Sequence, residues 1–103
     1  GIEAGDGIKA GEGIEAGSGI KAGEGIEAGD GIKAGDGIKA GDGIEAGWGI
    51  VTFFEGITAK FVSCLRVAVG FNSKEEQTIK AEIRKGVVVL GKVVSKKKVV
   101  SNE

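Results

Sequence analysis

Between Gly1 and Trp48 glycine recurs at alternating spacings of four and two, and the chain divides into eight hexads: GIEAGD, GIKAGE, GIEAGS, GIKAGE, GIEAGD, GIKAGD, GIKAGD and GIEAGW. Few folds accept that rhythm. Glycine never falls at every third residue, which excludes a collagen-type triple helix. A period of six drifts against 3.6 residues per turn, and each interior glycine costs a helix about 1 kcal/mol relative to alanine. In an extended chain the Ile at the second place and the Ala at the fourth lie on one side, with the charged third residue on the other. Each hexad therefore predicts a short Gly-Ile-x-Ala strand followed by a Gly-x corner, where glycine is expected to permit a positive φ. One such strand cannot bury its Ile, so the chain must coil and stack strand on strand. The expected fold is all-β, a β-solenoid of hexapeptide repeats.

The third-place charges set the number of hexads per coil. They run Glu3, Lys9, Glu15, Lys21, Glu27, Lys33, Lys39, Glu45. Three hexads per coil stack Glu3 on Lys21, Lys9 on Glu27, Glu15 on Lys33, Lys21 on Lys39 and Glu27 on Glu45, so three of five pairs are opposite. Two hexads per coil give two opposite pairs of six. Stacked pairs contribute about 0.2–1 kcal/mol each, which favours about three faces and 18 residues per coil. Eight hexads then make fewer than three coils, about 13 Å of solenoid at about 4.8 Å per layer. The rest of the chain must support them.

Residues 1–50 are accordingly read as the hexapeptide-repeat solenoid, and 51–103 as a β-rich C-terminal capping region packed with it as one domain. Ile57, Ala59, Phe61, Ser63, Leu65, Val67 and Val69 alternate, predicting one long strand with a single apolar face. Ser73 and Glu76 form a helix capping-box pattern, whereas Ile79, Ala81 and Ile83 alternate; the segment 73–85 stays open between helix and strand, with a strand over 78–84 preferred. Short strands at Val87–Leu90 and Lys92–Val94 follow an expected turn at Gly86. Phe53, Phe54, Phe61 and Phe71 are expected to close the C-terminal end of the solenoid, as terminal repeats often differ from internal ones.

The 103 residues hold 21 glycines but no proline, histidine, tyrosine or methionine, and one cysteine. Without histidine the commonest general base and metal ligand is missing. Cys64 has no partner for an internal disulfide and is expected to be a buried, inert thiol. No apolar run approaches the roughly 20 residues that span a bilayer. A cytoplasmic location is favoured, while a start at Gly1 in mid-rhythm leaves a processed, secreted chain open. Charge is unevenly shared: residues 1–48 carry ten acids and four lysines, and 49–103 carry five acids and ten bases.

The Gly-Ile-x-Ala-Gly-x hexad resembles that of parallel β-helix proteins, including the left-handed hexapeptide-repeat acyltransferases and the bactofilin-type polymer-forming solenoids. In the acyltransferases the small residue usually stands two places before the aliphatic one, whereas here Ala10 follows Ile8, and their histidine is absent. Gly5-Asp6-Gly7, with its counterparts at 29–31, 35–37 and 41–43, is similar to calcium-repeat corners, but the period of six differs from their nine. Gly5, Gly7 and Gly11 miss the dinucleotide-binding spacing by one residue. No enzyme activity, cofactor, metal or small-molecule substrate is expected.

The sixth place of the hexad carries Asp6, Glu12, Ser18, Glu24, Asp30, Asp36, Asp42 and Trp48. In a triangular coil these residues line the corners. The acids, with Trp48 as an exposed anchor or as a residue packed on the cap, are the expected partner-binding set: Asp6, Glu12, Glu24, Asp30, Asp36, Asp42 and Trp48. Two functions compete. One is a non-enzymatic protein-binding or inhibitory module whose acidic edge meets a basic protein surface, in the manner of a nucleic-acid mimic; pentapeptide-repeat gyrase inhibitors supply the analogy. The other is a bactofilin-like scaffold or filament subunit that stacks end to end through its first coil near Gly1. Lys96, Lys97 and Lys98 read as a protected edge, and direct nucleic-acid binding is not expected.

Overall fold

The computed structural model describes residues 2–94; the expectations for Gly1 and for Lys96, Lys97 and Lys98 lie outside them. The described residues form an all-β solenoid of about five turns, without helix, in which twelve strands pair in parallel. Eight three- or four-residue strands are the hexads: β1 Ile2–Ala4, β2 Ile8–Ala10, β3 Ile14–Ala16, β4 Ile20–Ala22, β5 Ile26–Ala28, β6 Ile32–Ala34, β7 Ile38–Ala40 and β8 Gly43–Ala46. They are followed by β9 Gly49–Thr52, β10 Ile57–Ala68, β11 Thr78–Leu90 and β12 Lys92–Val93.

The coil is triangular with an 18-residue spacing: Ile2 pairs with Ile20 and Ile20 with Ile38 on the first face. Ile8, Ile26 and Ile44 stack on the second, and Ile14, Ile32 and Ile50 on the third. The charge pairs follow the expected register, Glu3 against Lys21, Lys9 against Glu27, Glu15 against Lys33, with like charges at Lys21–Lys39 and Glu27–Glu45. Glu15 and Lys33 come to 4.0 Å, an exposed contact of small energetic weight. Inside, the Ile and Ala rungs are almost fully buried from Ile20 onward. Each Ile so enclosed contributes roughly 1.5–3 kcal/mol, which is what the repetition achieves.

The corners owe their glycines to something other than φ. Among the described residues no hexad glycine is in the left-handed region, and positive φ occurs only at Gly70, Gly86 and Gly91. The fifth-place glycine is needed because backbone lies directly on backbone: a Cβ at Gly29 would stand 2.1 Å from the carbonyl oxygen of Gly11, and one at Gly35 would stand 1.9 Å from that of Gly17. Hydrogen bonds hold this contact, the Gly35 N–H donating to Ala16 O at 2.9 Å and Asp36 N–H to Ser18 O at 3.1 Å.

The C-terminal half is β-rich, and it continues the same three columns. β10 turns round all three faces, setting Ile57 over Ile38, Val62 over Ile44 and Val67 over Ile50. β11 makes a further circuit with Ile79, Ile83 and Val88, and β12 sets Val93 over Ile79. The segment left open between helix and strand is a strand from Thr78 onward. Ser73 caps no helix: its hydroxyl accepts from Glu75 N at 3.2 Å and Gln77 Nε2 at 3.0 Å, stabilising a turn.

Three expectations need correction. The alternating face of β10 is broken by shifts in register at the corners, so that Val62 and Cys64 point inward instead of Phe61, Ser63 and Leu65. Gly86 does not divide two strands; it lies within β11 at φ 125°, close above Cys64. The phenylalanines do not plug the end. Phe54 and Phe71 are exposed, Phe53 meets Phe71 edge to face at 6.1 Å, and Phe61 lies against Gly43 with the Arg84 guanidinium 3.9 Å above its ring. A triangular interior of Ile and Ala has no room for a six-membered ring, so the aromatics cover corners from outside.

Candidate interaction surfaces

The sixth-place residues are all exposed, but they occupy three separate edges. On the first corner Glu24 N–H donates to Asp6 O at 3.2 Å and Asp42 N–H to Glu24 O at 3.2 Å, placing Asp6, Glu24 and Asp42 in one row. Lys60 continues it, its N–H on Asp42 O and its ammonium 3.3 Å from the Asp42 carboxylate. On the second corner Asp30 lies over Glu12 and Trp48 over Asp30, through hydrogen bonds of 3.1 and 3.0 Å. Asp36 is on the third corner, over Ser18. The stacking of Asp6, Glu24 and Asp42 and of Glu12, Asp30 and Trp48 agrees with the triangular reading, while Asp36 stands apart from both rows.

Trp48 does not pack on the C-terminal region; it is 65% exposed. Its carbonyl accepts from Leu65 N–H at 2.7 Å, and Leu65 is itself 45% exposed. Arg66 in the same layer pairs in register with Val87, which is 64% exposed. Sequence reasoning placed Leu65 on the inner face and so missed this apolar continuation of the Trp48 edge. The signal for it was the pairing of Val62 with Cys64 and Val67 with Val69, which turns Leu65 and Arg66 into a corner.

Open grooves run along the faces where glycine corners leave no side chain; one is lined by Gly19, Gly37, Gly56, Lys21, Lys39 and Asp36. Among the described residues no group of three His, Cys, Asp or Glu side chains is placed to hold a metal ion, and no helix is long and apolar enough to cross a membrane. Cys64 is buried beneath Gly86, its thiol donating to Arg66 O at 3.2 Å, and burial pushes its pKa above the ordinary thiol value. Thr52, which takes the alanine place of the ninth strand, is fully buried. Its hydroxyl donates to Glu55 O and accepts from Gly70 N–H at 3.1 Å, tying the third corner to the next coil. In comparisons with family models, curated proteins and solved structures, nothing matches this chain.

Proposed function

We propose that the protein is a non-enzymatic structural module that assembles by stacking solenoid on solenoid, the unpaired strand edges of β1, β2 and β3 in one copy receiving the coil of β11 and β12 of another. What supports this is the first coil. Among the described residues no strand pairs with the N-terminal edges of β1, β2 and β3. Ile2 and Ile8 are only half-buried there, whereas Ile20 and Ile26 one coil on are each 1% exposed. Unpaired edges of this kind are templates for further strands. Gly5, Gly11 and Gly17 occupy the place at which later coils need close backbone approach, yet each faces open space. The first coil holds four acids and one lysine over residues 2–18, and residues 78–94 hold four bases and one acid, so head-to-tail stacking joins opposite charges. The resemblance of the hexads to bactofilin-type solenoids points the same way.

The test is sedimentation velocity with electron microscopy on the wild-type chain and on the triple variant Gly5→Ala, Gly11→Ala, Gly17→Ala. Wild type should form long species that shorten as salt rises, and the variant should keep its circular dichroism but lose them. A wild-type chain that stays monomeric, or stops at a dimer, at every concentration refutes the reading.

The binding-module reading keeps one observation, the row of Asp6, Glu24 and Asp42 on the first corner. That row is three acids long and ends on the Lys60 ion pair, short of an extended phosphate-like edge. If it captures a basic protein, reversing the three charges abolishes capture; unchanged capture removes this reading.

A further inference from the structure

Along the second corner the chemistry changes sign. Reading from the N-terminal end, successive layers carry Glu12, Asp30, Trp48, then Leu65 with Arg66, then Val87. The middle of the row is an exposed indole, with the acid Asp30 in the layer before it, exposed Leu65 and the Arg66 guanidinium in the layer after it, and exposed Val87 beyond. Neither Asp30 nor Arg66 has an ion-pair partner among the described residues.

From this sequence of layers we infer that the Trp48 edge is a side-to-side contact with a second, antiparallel copy of the chain, related by a two-fold axis through the Trp48 layer. A two-fold axis there sets Trp48 against Trp48, and brings the layer before it in one copy onto the layer after it in the other. Asp30 of each copy then meets Arg66 of its partner, twice per dimer, and Leu65 covers the flank of the indole. A parallel copy would instead set acid on acid and arginine on arginine. The charges thus select one orientation, and the tryptophan supplies the kind of central aromatic anchor that interfaces use. This contact is independent of end-to-end stacking, which leaves the second corner in solvent.

Trp48 is the single tryptophan, so its fluorescence reports the contact directly. Emission and sedimentation equilibrium would be followed together, from nanomolar to high micromolar, for wild type, Arg66→Glu and the swap Asp30→Arg/Arg66→Glu, each checked by circular dichroism. Wild type should shift to the blue as dimer forms. Arg66→Glu should weaken that association at least tenfold, because each substitution acts at two symmetric contacts, and the swap should restore it to within about threefold. Emission that stays at the water-exposed position at every concentration overturns the inference even if fibres form, and those fibres would leave the stacking proposal standing. A blue-shifted wild type whose swap variant fails to recover overturns the antiparallel register. Blue-shifted dimers that never lengthen support this contact and refute stacking.

Discussion

Two substitutions at the same place in the hexad, Gly17→Ala and Gly35→Ala, should change stability in opposite directions. Neither glycine has a positive φ, so alanine is conformationally acceptable at both, and the difference lies in what the new methyl meets. At Gly17 nothing lies within 4 Å; at Gly35 the Cβ would stand 1.9 Å from Gly17 O and 2.8 Å from its carbon. Contacts below 3.0 Å are not tolerated, and the obstacle is backbone, so the corner must open by more than 1 Å. That opening stretches two hydrogen bonds, Gly35 N–H to Ala16 O and Asp36 N–H to Ser18 O. Losing both removes about 0.5–1.5 kcal/mol each, and overpacking adds about 1–3 kcal/mol. Gly35→Ala should therefore lose about 2–6 kcal/mol, a large share of the roughly 5–15 kcal/mol that keeps a domain folded.

Gly17→Ala should gain about 0.4–1 kcal/mol, because alanine restricts the unfolded chain more than glycine does. Urea titrations followed by far-ultraviolet circular dichroism, at concentrations low enough to keep the chain monomeric, measure both. Equal stabilities within about 0.5 kcal/mol, a spread typical of surface substitutions, would falsify the claim that the fifth-place glycine serves close approach between coils.

Other perturbations probe the interior. Thr52→Val keeps the shape but leaves the buried Gly70 N–H without its acceptor, so a loss of about 1–3 kcal/mol is expected in the same titration. Ile32→Ala, in the middle of the third column, should lose about 2–5 kcal/mol, whereas Ile2→Ala at the half-buried end should lose much less; equal losses would argue against the open first coil. Cys64 should react slowly with a thiol reagent in the native protein and quickly once unfolded. Because burial raises its folded pKa, its contribution is intact below the unfolded thiol value and is lost as pH rises through the folded one. Stability should therefore fall in the alkaline range, and Cys64→Ala should flatten that fall in urea midpoints measured against pH.

The first half was legible because one period fixes everything. A six-residue repeat allows one inward pair per face, and the third-place charges distinguish three faces from two through stacked signs that the register then realises. The role of glycine was misread. Sequence rules associate glycine with positive φ, but a solenoid corner also brings peptide planes into contact, and only the three-dimensional stack reveals which of the two is in force. The corner rows, by contrast, followed from the triangular coil: Asp6, Glu24 and Asp42 stack on one corner and Glu12, Asp30 and Trp48 on another, as that reading requires.

The second half obeys the same rule in a shorter form. Inward residues along β10 and just past its end are Ile57 and Ala59, Val62 and Cys64, then Val67 and Val69, pairs that recur every five residues. One corner residue has been dropped from each side, so Lys60–Phe61 and Leu65–Arg66 turn the chain without glycine. A tighter corner leaves less backbone lying on backbone, which removes the need for a missing Cβ and lets large side chains sit outside. Phe61 uses that freedom by lying over Gly43, whose Cβ would fall 2.0 Å from the ring, and by carrying Arg84. Strict alternation, read across those corners, put Phe61 and Leu65 inside and hid the surface that Trp48 and Leu65 form. A search for inward pairs two residues apart, with the interval between pairs free to be five, six or seven, follows all three columns through β10 and turns Leu65 and Arg66 outward beside Trp48.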